Sequence, residues 1–168
     1  ESRLERLIAT RATLRPDQAA RAQALVATLV ARGLSKYNLG NDAPDIASLA
    51  AGRRVVLVPG QVEDDASIRY GTGEISTNLA LLTAARQAHP DAFVIYKPHP
   101  DVEAGLRPGH IARAEHLADL VARQTDPAAL LAQVDTVWTM TSLLGFEALI
   151  RGVRVVTTGA PLYAGWGL

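Results

Sequence analysis

Cysteine is absent from this 168-residue chain, which removes disulfides, thiolate metal sites and a cysteine nucleophile together. Zero cysteine is also compatible with the cytoplasm. Charge of one sign is missing too, since 17 Lys+Arg balance 17 Asp+Glu. A neutral chain carries no electrostatic footprint for nucleic acid or an anionic membrane, although Arg3, Arg6, Arg11 and Arg15 form a local basic patch. No apolar run approaches the ~18 residues of a membrane helix, and no signal peptide is visible. Neither G-x-G-x-x-G nor a Walker A sequence occurs, which argues against dinucleotide and P-loop binding. Internal repeats and low-complexity tracts are also lacking. The chain opens at Glu1 rather than Met and stops at Leu168 after a turn-rich stretch. A doubly wound domain ordinarily continues into a helix at such a point, so the chain reads as a piece of a longer protein.

What is present is a globular composition, 48% hydrophobic, at a length sufficient for one domain with its own core. Residues 1–52 read as a helical lead-in followed by a loop. Leu4, Leu7 and Ile8 sit at helical spacing. A second helix starts near Pro16, carries Leu25, Val26, Leu29 and Val30 on one face, and ends near Gly33. Residues 41–48 read as a loop. From residue 53 short apolar runs alternate with helical stretches: strands over 55–58, 93–96, 120–122, 136–140 and 154–157, with helices over 76–88, 110–116, 127–134 and 143–151 between them. In the 76–88 helix Leu79, Leu82 and Thr83 are the expected inward residues. This rhythm predicts an α/β, Rossmann-like parallel sheet with flanking helices over residues 53–168.

Ligands of such a sheet bind outside the carboxyl ends of its strands. Tyr96-Lys97-Pro98-His99-Pro100 closes the second strand and sets Lys97 and His99 at that edge on a stiff turn, a pairing suited to phosphate oxygens. The plain alternative is a Pro-rich turn with a solvated lysine. Thr141 and Ser142 open a helix after the fourth strand, where hydroxyls and free N–H groups attract anions, one of them doubling as the N-cap. Glu147, a turn or so further in, can accept from a ribose diol or be simply solvated. Glu63-Asp64-Asp65 offers a nucleophile, a base or oxygen ligands for a cation, or only a well-solvated loop. His89, His110 and His116 show no metal spacing and read as surface residues.

Four stretches taken together resemble the bacterial capsule polysaccharide β-Kdo transferases. They are Val58-Pro59-Gly60-Gln61-Val62-Glu63-Asp64-Asp65-Ala66-Ser67-Ile68, Lys97-Pro98-His99-Pro100, residues 139–149, and Gly159 to Leu168. The resemblance runs from about residue 33 to the end. It implies one half of a glycosyltransferase-B architecture, the donor-binding domain, with the acceptor domain lying elsewhere in the parent. The implied donor substrate is CMP-Kdo. The implied product is the β-linked Kdo linker built on a phosphatidylglycerol lipid for capsule polysaccharide, with anomeric configuration retained through a covalent intermediate. Asp65 and Gln61 then fall in the catalytic positions of a Gln-Val-x-x-Asp pattern, with Asp64 as the second choice for nucleophile. Lys97, His99, Thr141, Ser142 and Glu147 fall in the nucleotide-binding positions. The resemblance implies no metal and no cofactor beyond the donor. Its implied partners are a lipid-linked Kdo acceptor and the capsule export machinery. Nucleic acid is not among them, and the parent is placed at the cytoplasmic face of the inner membrane with peripheral association. Two other readings stand beside it: a glycosyltransferase-B donor domain for CMP-sialic acid or a UDP-sugar, and a nucleotide-binding module without catalysis.

Overall fold

The computed structural model describes residues 3–10, 13–36 and 42–165, in two compact units that divide after Leu34. The first holds helix α1 (Arg3–Thr10) and helix α2 (Pro16–Ala31). Pro16 occupies the first turn of α2, where a missing N–H has no consequence, and the Gln18 side chain accepts from the Arg15 amide in front of it. Gly33, at φ 58°, turns the chain out of the helix as the sequence implies. No residue of α2 is buried, and Leu25 is 56% exposed, so the apolar stripe read from the sequence is not a core face here.

The second unit begins at Ser35, not at residue 53. The reason is that the presumed loop contains helix α3 (Ile46–Ala50), capped by Asp45, whose Ile46 is completely buried beneath the sheet. Strand β1 (Val55–Pro59) follows, then helices α4 (Ala66–Gly71) and α5 (Asn78–Ala88), strand β2 (Phe93–Lys97), helix α6 (Pro100–Glu103) and strand β3 (Leu120–Val121). Helix α7 (Pro127–Leu131), strand β4 (Thr136–Thr139), helix α8 (Leu143–Leu149) and strand β5 (Arg154–Thr157) complete it. The pairings between these five strands are parallel, in the order β3-β2-β1-β4-β5. The α/β, Rossmann-like class is therefore the one expected.

Alternation along the strands splits the core in two. Val56, Val58, Val94 and Tyr96 pack with Leu81, Leu82 and Ala85 of α5 on one face. Val55, Leu57, Phe93 and Ile95 pack with residues of α3, α7 and α8 on the other. Two elements differ from the sequence reading. The inward face of α5 is Asn78, Leu81, Leu82 and Ala85, while Leu79 is 52% exposed, because a buried asparagine occupies one position of the stripe and apolar periodicity alone overlooks it. The helix expected over 110–116 shrinks to a 3-10 turn at Ala114–His116; the buried Ile111, Ala114 and Ala118 mimic helical spacing without forming one. His89, read as a surface residue, is half-buried edge-on to Trp138. His110 and His116 are exposed.

The strand order reverses between β1 and β4. At that switch point the two crossovers leave on opposite faces and open a crevice at the carboxyl edge.

Candidate active site

A cavity of about 350 Å³ fills that crevice, lined by residues that follow β1, β2 and β4. Its framework is a hydrogen-bonded bridge across the switch point. Gln61, 7% exposed, donates from Nε2 to Thr141 Oγ1 at 2.9 Å and accepts at Oε1 from the Thr141 amide at 3.0 Å. Thr139 Oγ1 donates to the same Oε1 at 3.3 Å. Gln61 thus clamps the end of β1 to the end of β4. In this geometry its side chain positions Thr141.

Three of the sequence-selected residues are helix N-caps. Asp65 caps α4, His99 caps α6 and Ser142 caps α8, each with its side chain accepting from a backbone N–H. The short helices α4 and α6 are not evident in the hydropathy pattern, but the capping residues that start them are the motif residues. Strand ends must turn, and the polar side chains that turn them here line the crevice.

The acidic triplet divides. Glu63 accepts from the Asn78 amide at 2.7 Å and so fixes the start of α5. Asp64 pairs with Arg107 at 2.6 Å on the surface. Only Asp65 lines the cavity. Its Oδ1 accepts from the amide and hydroxyl of Ser67 at 2.8 and 2.7 Å, whereas Oδ2 accepts nothing from the described residues. Those two bonds, with the nearby Arg107 and Lys36 charges, hold its carboxyl below the usual carboxylate range. The result is an ionised carboxylate on a residue that lines the cavity.

Lys97 is 7% exposed at the end of β2, and among the described residues its ammonium makes neither a hydrogen bond nor an ion pair. Burial pushes its pKa down, opposed by the charges of Glu103 and Asp126. Glu147 is 8% exposed; its Oε1 accepts from the Lys36 amide at 2.9 Å, but the buried Oε2 has no partner. Both line the cavity. A buried carboxylate oxygen without a partner, and a lysine with none among the described residues, line one cavity, an arrangement suited to a polar ligand.

His99 Nδ1 accepts from the Asp101 amide at 3.2 Å. Burial lowers its pKa, and the Asp101 carboxylate, 3.9 Å from Nδ1, only partly opposes this. The neutral ring therefore carries its proton on Nε2, as a donor. Ser142 Oγ accepts from the Leu144 amide, and the Ser142 amide donates to Thr139 Oγ1. The Ser142 and Leu144 amides are so engaged, and α8 is only seven residues long. The start of α8 is held from behind by Tyr163, whose hydroxyl donates to the Ser142 carbonyl at 2.6 Å. Tyr163 lies against Gly145, where a side chain would collide with its ring. Among the described residues no cluster of three His, Asp or Glu side chains could hold a metal ion.

Fold and site together define a Rossmann-like domain with a polar cavity at its topological switch point. The sequence model for the family described as capsule polysaccharide biosynthesis protein matches residues 10–168, and the chain belongs to that family. It is 53% identical over 137 residues to the capsule polysaccharide modification protein LipA of Neisseria meningitidis serogroup A, covering 80% of this chain and 19% of LipA. It is 46% identical over 153 residues to the lipopolysaccharide-processing protein LpsZ of Rhizobium meliloti, covering 88% of this chain and 34% of LpsZ. Two solved structures from Thermosulfurimonas dismutans share the fold. KpsC, β-Kdo 2,4 transferase, superposes with a TM-score of 0.85 at 30% identity, over 99% of this chain and 52% of the other. KpsC, β-Kdo 2,7 transferase, gives 0.76 at 35% identity, over 100% and 50%. The chain is thus related to Kdo transferases and spans 19% to 52% of the length of these four proteins.

Proposed function

We propose that the cavity at the carboxyl edge binds CMP-Kdo, and that the chain is the donor half of a retaining β-Kdo transferase of glycosyltransferase-B architecture. One observation carries the reading: Glu147 Oε2 is buried without a partner and lines the same cavity as Lys97, whose ammonium has no partner among the described residues. A ribose diol answers the first and a nucleotide phosphate the second, with His99 Nε2–H and the Thr141 hydroxyl as further donors to phosphate. Membership of a capsule family whose solved relatives include Kdo transferases supports the choice of sugar.

In the proposed reaction Asp65 Oδ2 forms a bond to the anomeric carbon while the bond from that carbon to the phosphate oxygen breaks. The electron pair leaves with CMP. Lys97 and His99 neutralise the charge that develops there, so the leaving group needs no full protonation. An acceptor hydroxyl then attacks the same carbon from the face CMP has vacated, giving its proton to solvent and releasing Asp65 as carboxylate. Two inversions retain configuration, as in double-displacement glycosidases. The acceptor, a lipid-linked Kdo on phosphatidylglycerol at the cytoplasmic membrane face, is brought by the other domain. Among the described residues no helix is long and apolar enough to cross a membrane.

The test is a titration of the chain with CMP, UMP and UDP followed by amide chemical shifts. CMP should perturb residues 97–99, 139–147 and the loop at 61–67, and the chain alone should transfer no sugar. A preference for UMP or UDP would move the reading to another nucleotide sugar, and absence of shifts at this edge would overturn it. In the full-length parent, donor alone should leave one Kdo on the peptide carrying Asp65. An adduct on another acid would reassign the nucleophile, and turnover by an Asp65→Ala parent would end the double-displacement scheme.

A further inference from the structure

A sugar of the Kdo type carries a carboxylate on the anomeric carbon itself. If Asp65 attacks that carbon, two carboxylates must approach within a few ångströms, and their repulsion has to be cancelled from the protein side. Lys97 and His99 are assigned to the phosphate, which leaves Lys36 and Arg107 as cations of the cavity lining, both acting on the Asp65 carboxylate. Of the two, Arg107 carries the planar fork that matches a carboxylate, whereas a lysine ammonium is a point charge.

Arg107 is held in place by more than its own side chain. Its amide donates to the Asp101 carbonyl at 3.2 Å, and the next residue, Pro108, accepts from the Glu63 amide at 3.2 Å. Gly109 follows at φ 129°, with Asn78 Nδ2 and the Gln61 carbonyl so near that a Cβ would meet them at 2.7 and 2.8 Å. Asn78, 1% exposed, ties both loops together: Oδ1 accepts from the Gln61 amide, and Nδ2 donates to the carbonyls of Gln61 and Gly109. The loop bearing Asp65 and the loop bearing Arg107 are therefore one hydrogen-bonded unit, with Asn78 as its positioning residue.

Asp64 receives one N–H from Nε and one from Nη2 of Arg107, both on Oδ1. A guanidinium has five N–H donors in a planar fork, so its other edge remains for a second carboxylate. An exposed Asp–Arg pair adds little to stability. Its use here is to set the direction in which that free edge points.

We propose that Arg107, oriented by Asp64 and placed by Asn78, binds the anomeric carboxylate of the donor sugar and selects for a 2-keto sugar acid over a neutral sugar. The proposal rests on the donor-site reading above. It deepens that reading by naming the group that recognises the sugar.

The test measures affinities of the chain for CMP and for freshly prepared CMP-Kdo, in wild type and in Arg107→Gln. Wild type should bind CMP-Kdo at least tenfold more tightly than CMP. The variant should bind CMP like wild type and CMP-Kdo no better than CMP. Asp64→Asn, which leaves the guanidinium but loosens its aim, should lose part of the discrimination with CMP affinity unchanged. An equal loss for both ligands in Arg107→Gln, or no loss for either, overturns the proposal while leaving the nucleotide site standing. Equal binding of CMP and CMP-Kdo by wild type overturns it as well. Failure of wild type to bind either removes the donor reading, and this proposal with it.

Discussion

The two edges of the sheet treat charge in opposite ways. At the amino edge, Asp119 is shared by Arg53 and Arg86, and also accepts from the Val94 amide at 2.9 Å. Beside it Asp135 accepts from the Val55 amide at 2.7 Å, and Arg54 donates to Thr136 Oγ1 at 2.9 Å. Charged groups there close the starts of strands and leave little unspent. At the carboxyl edge, Lys97 and one oxygen each of Glu147 and Asp65 have no partner among the described residues. Chain ends need polar groups at either edge. Among the described residues the carboxyl edge keeps charged groups without partners, and that is where a ligand would complete the structure.

The largest test of this contrast is Asp119→Ala. Losing a carboxylate with three partners should destabilise the fold by about 2–3 kcal/mol in urea unfolding, with CMP affinity unchanged. A parallel loss of affinity would show that the amino edge also serves the site. Lys97→Met should do the reverse. Removing an ammonium with no partner among the described residues should stabilise the ligand-free domain by about 0.5–2 kcal/mol while CMP binding drops tenfold or more, and destabilisation would mean that Lys97 has a structural partner after all. Glu147→Gln keeps the shape and replaces an acceptor with a donor. Cytidine affinity should fall by about 0.5–1.5 kcal/mol with stability nearly constant, read by calorimetric titration and thermal melting.

The smallest effect is one of pH. Burial lowers the pKa of His89 near the amino edge and of His99 at the carboxyl edge below the ordinary 6.5. Below pH 6.5 the unfolded chain binds more protons at these positions than the folded one, so stability falls as the pH drops from 7 towards 5. Replacing either histidine with Gln should flatten that slope. Saturating CMP should flatten only the His99 share, because a phosphate beside Nε2 raises that group's pKa. An equal response of the two variants to CMP would erase the distinction between the edges.

Much of this was legible in the chain. Alternating short apolar runs and helices determined a parallel α/β sheet, because strands buried on both faces must be continuously apolar and parallel pairs need crossovers. The same order put Asp65, Lys97, His99 and Ser142 just past strand ends, and topology then carried them to one edge. Tertiary structure alone decided what each does there. Gln61 became a clamp and the acidic triplet split between a helix start, an arginine and the cavity, since hydrogen-bond partners 15 to 80 residues away cannot be read from spacing. Asn78 and Arg107 carried no sequence signal at all. One is a polar residue on an apolar stripe and the other a lone arginine in a loop. Their importance exists only because Gly109, Gln61 and Glu63 meet around them, and such meeting is a property of the closed fold, where burial forces every polar group to find a partner or a ligand.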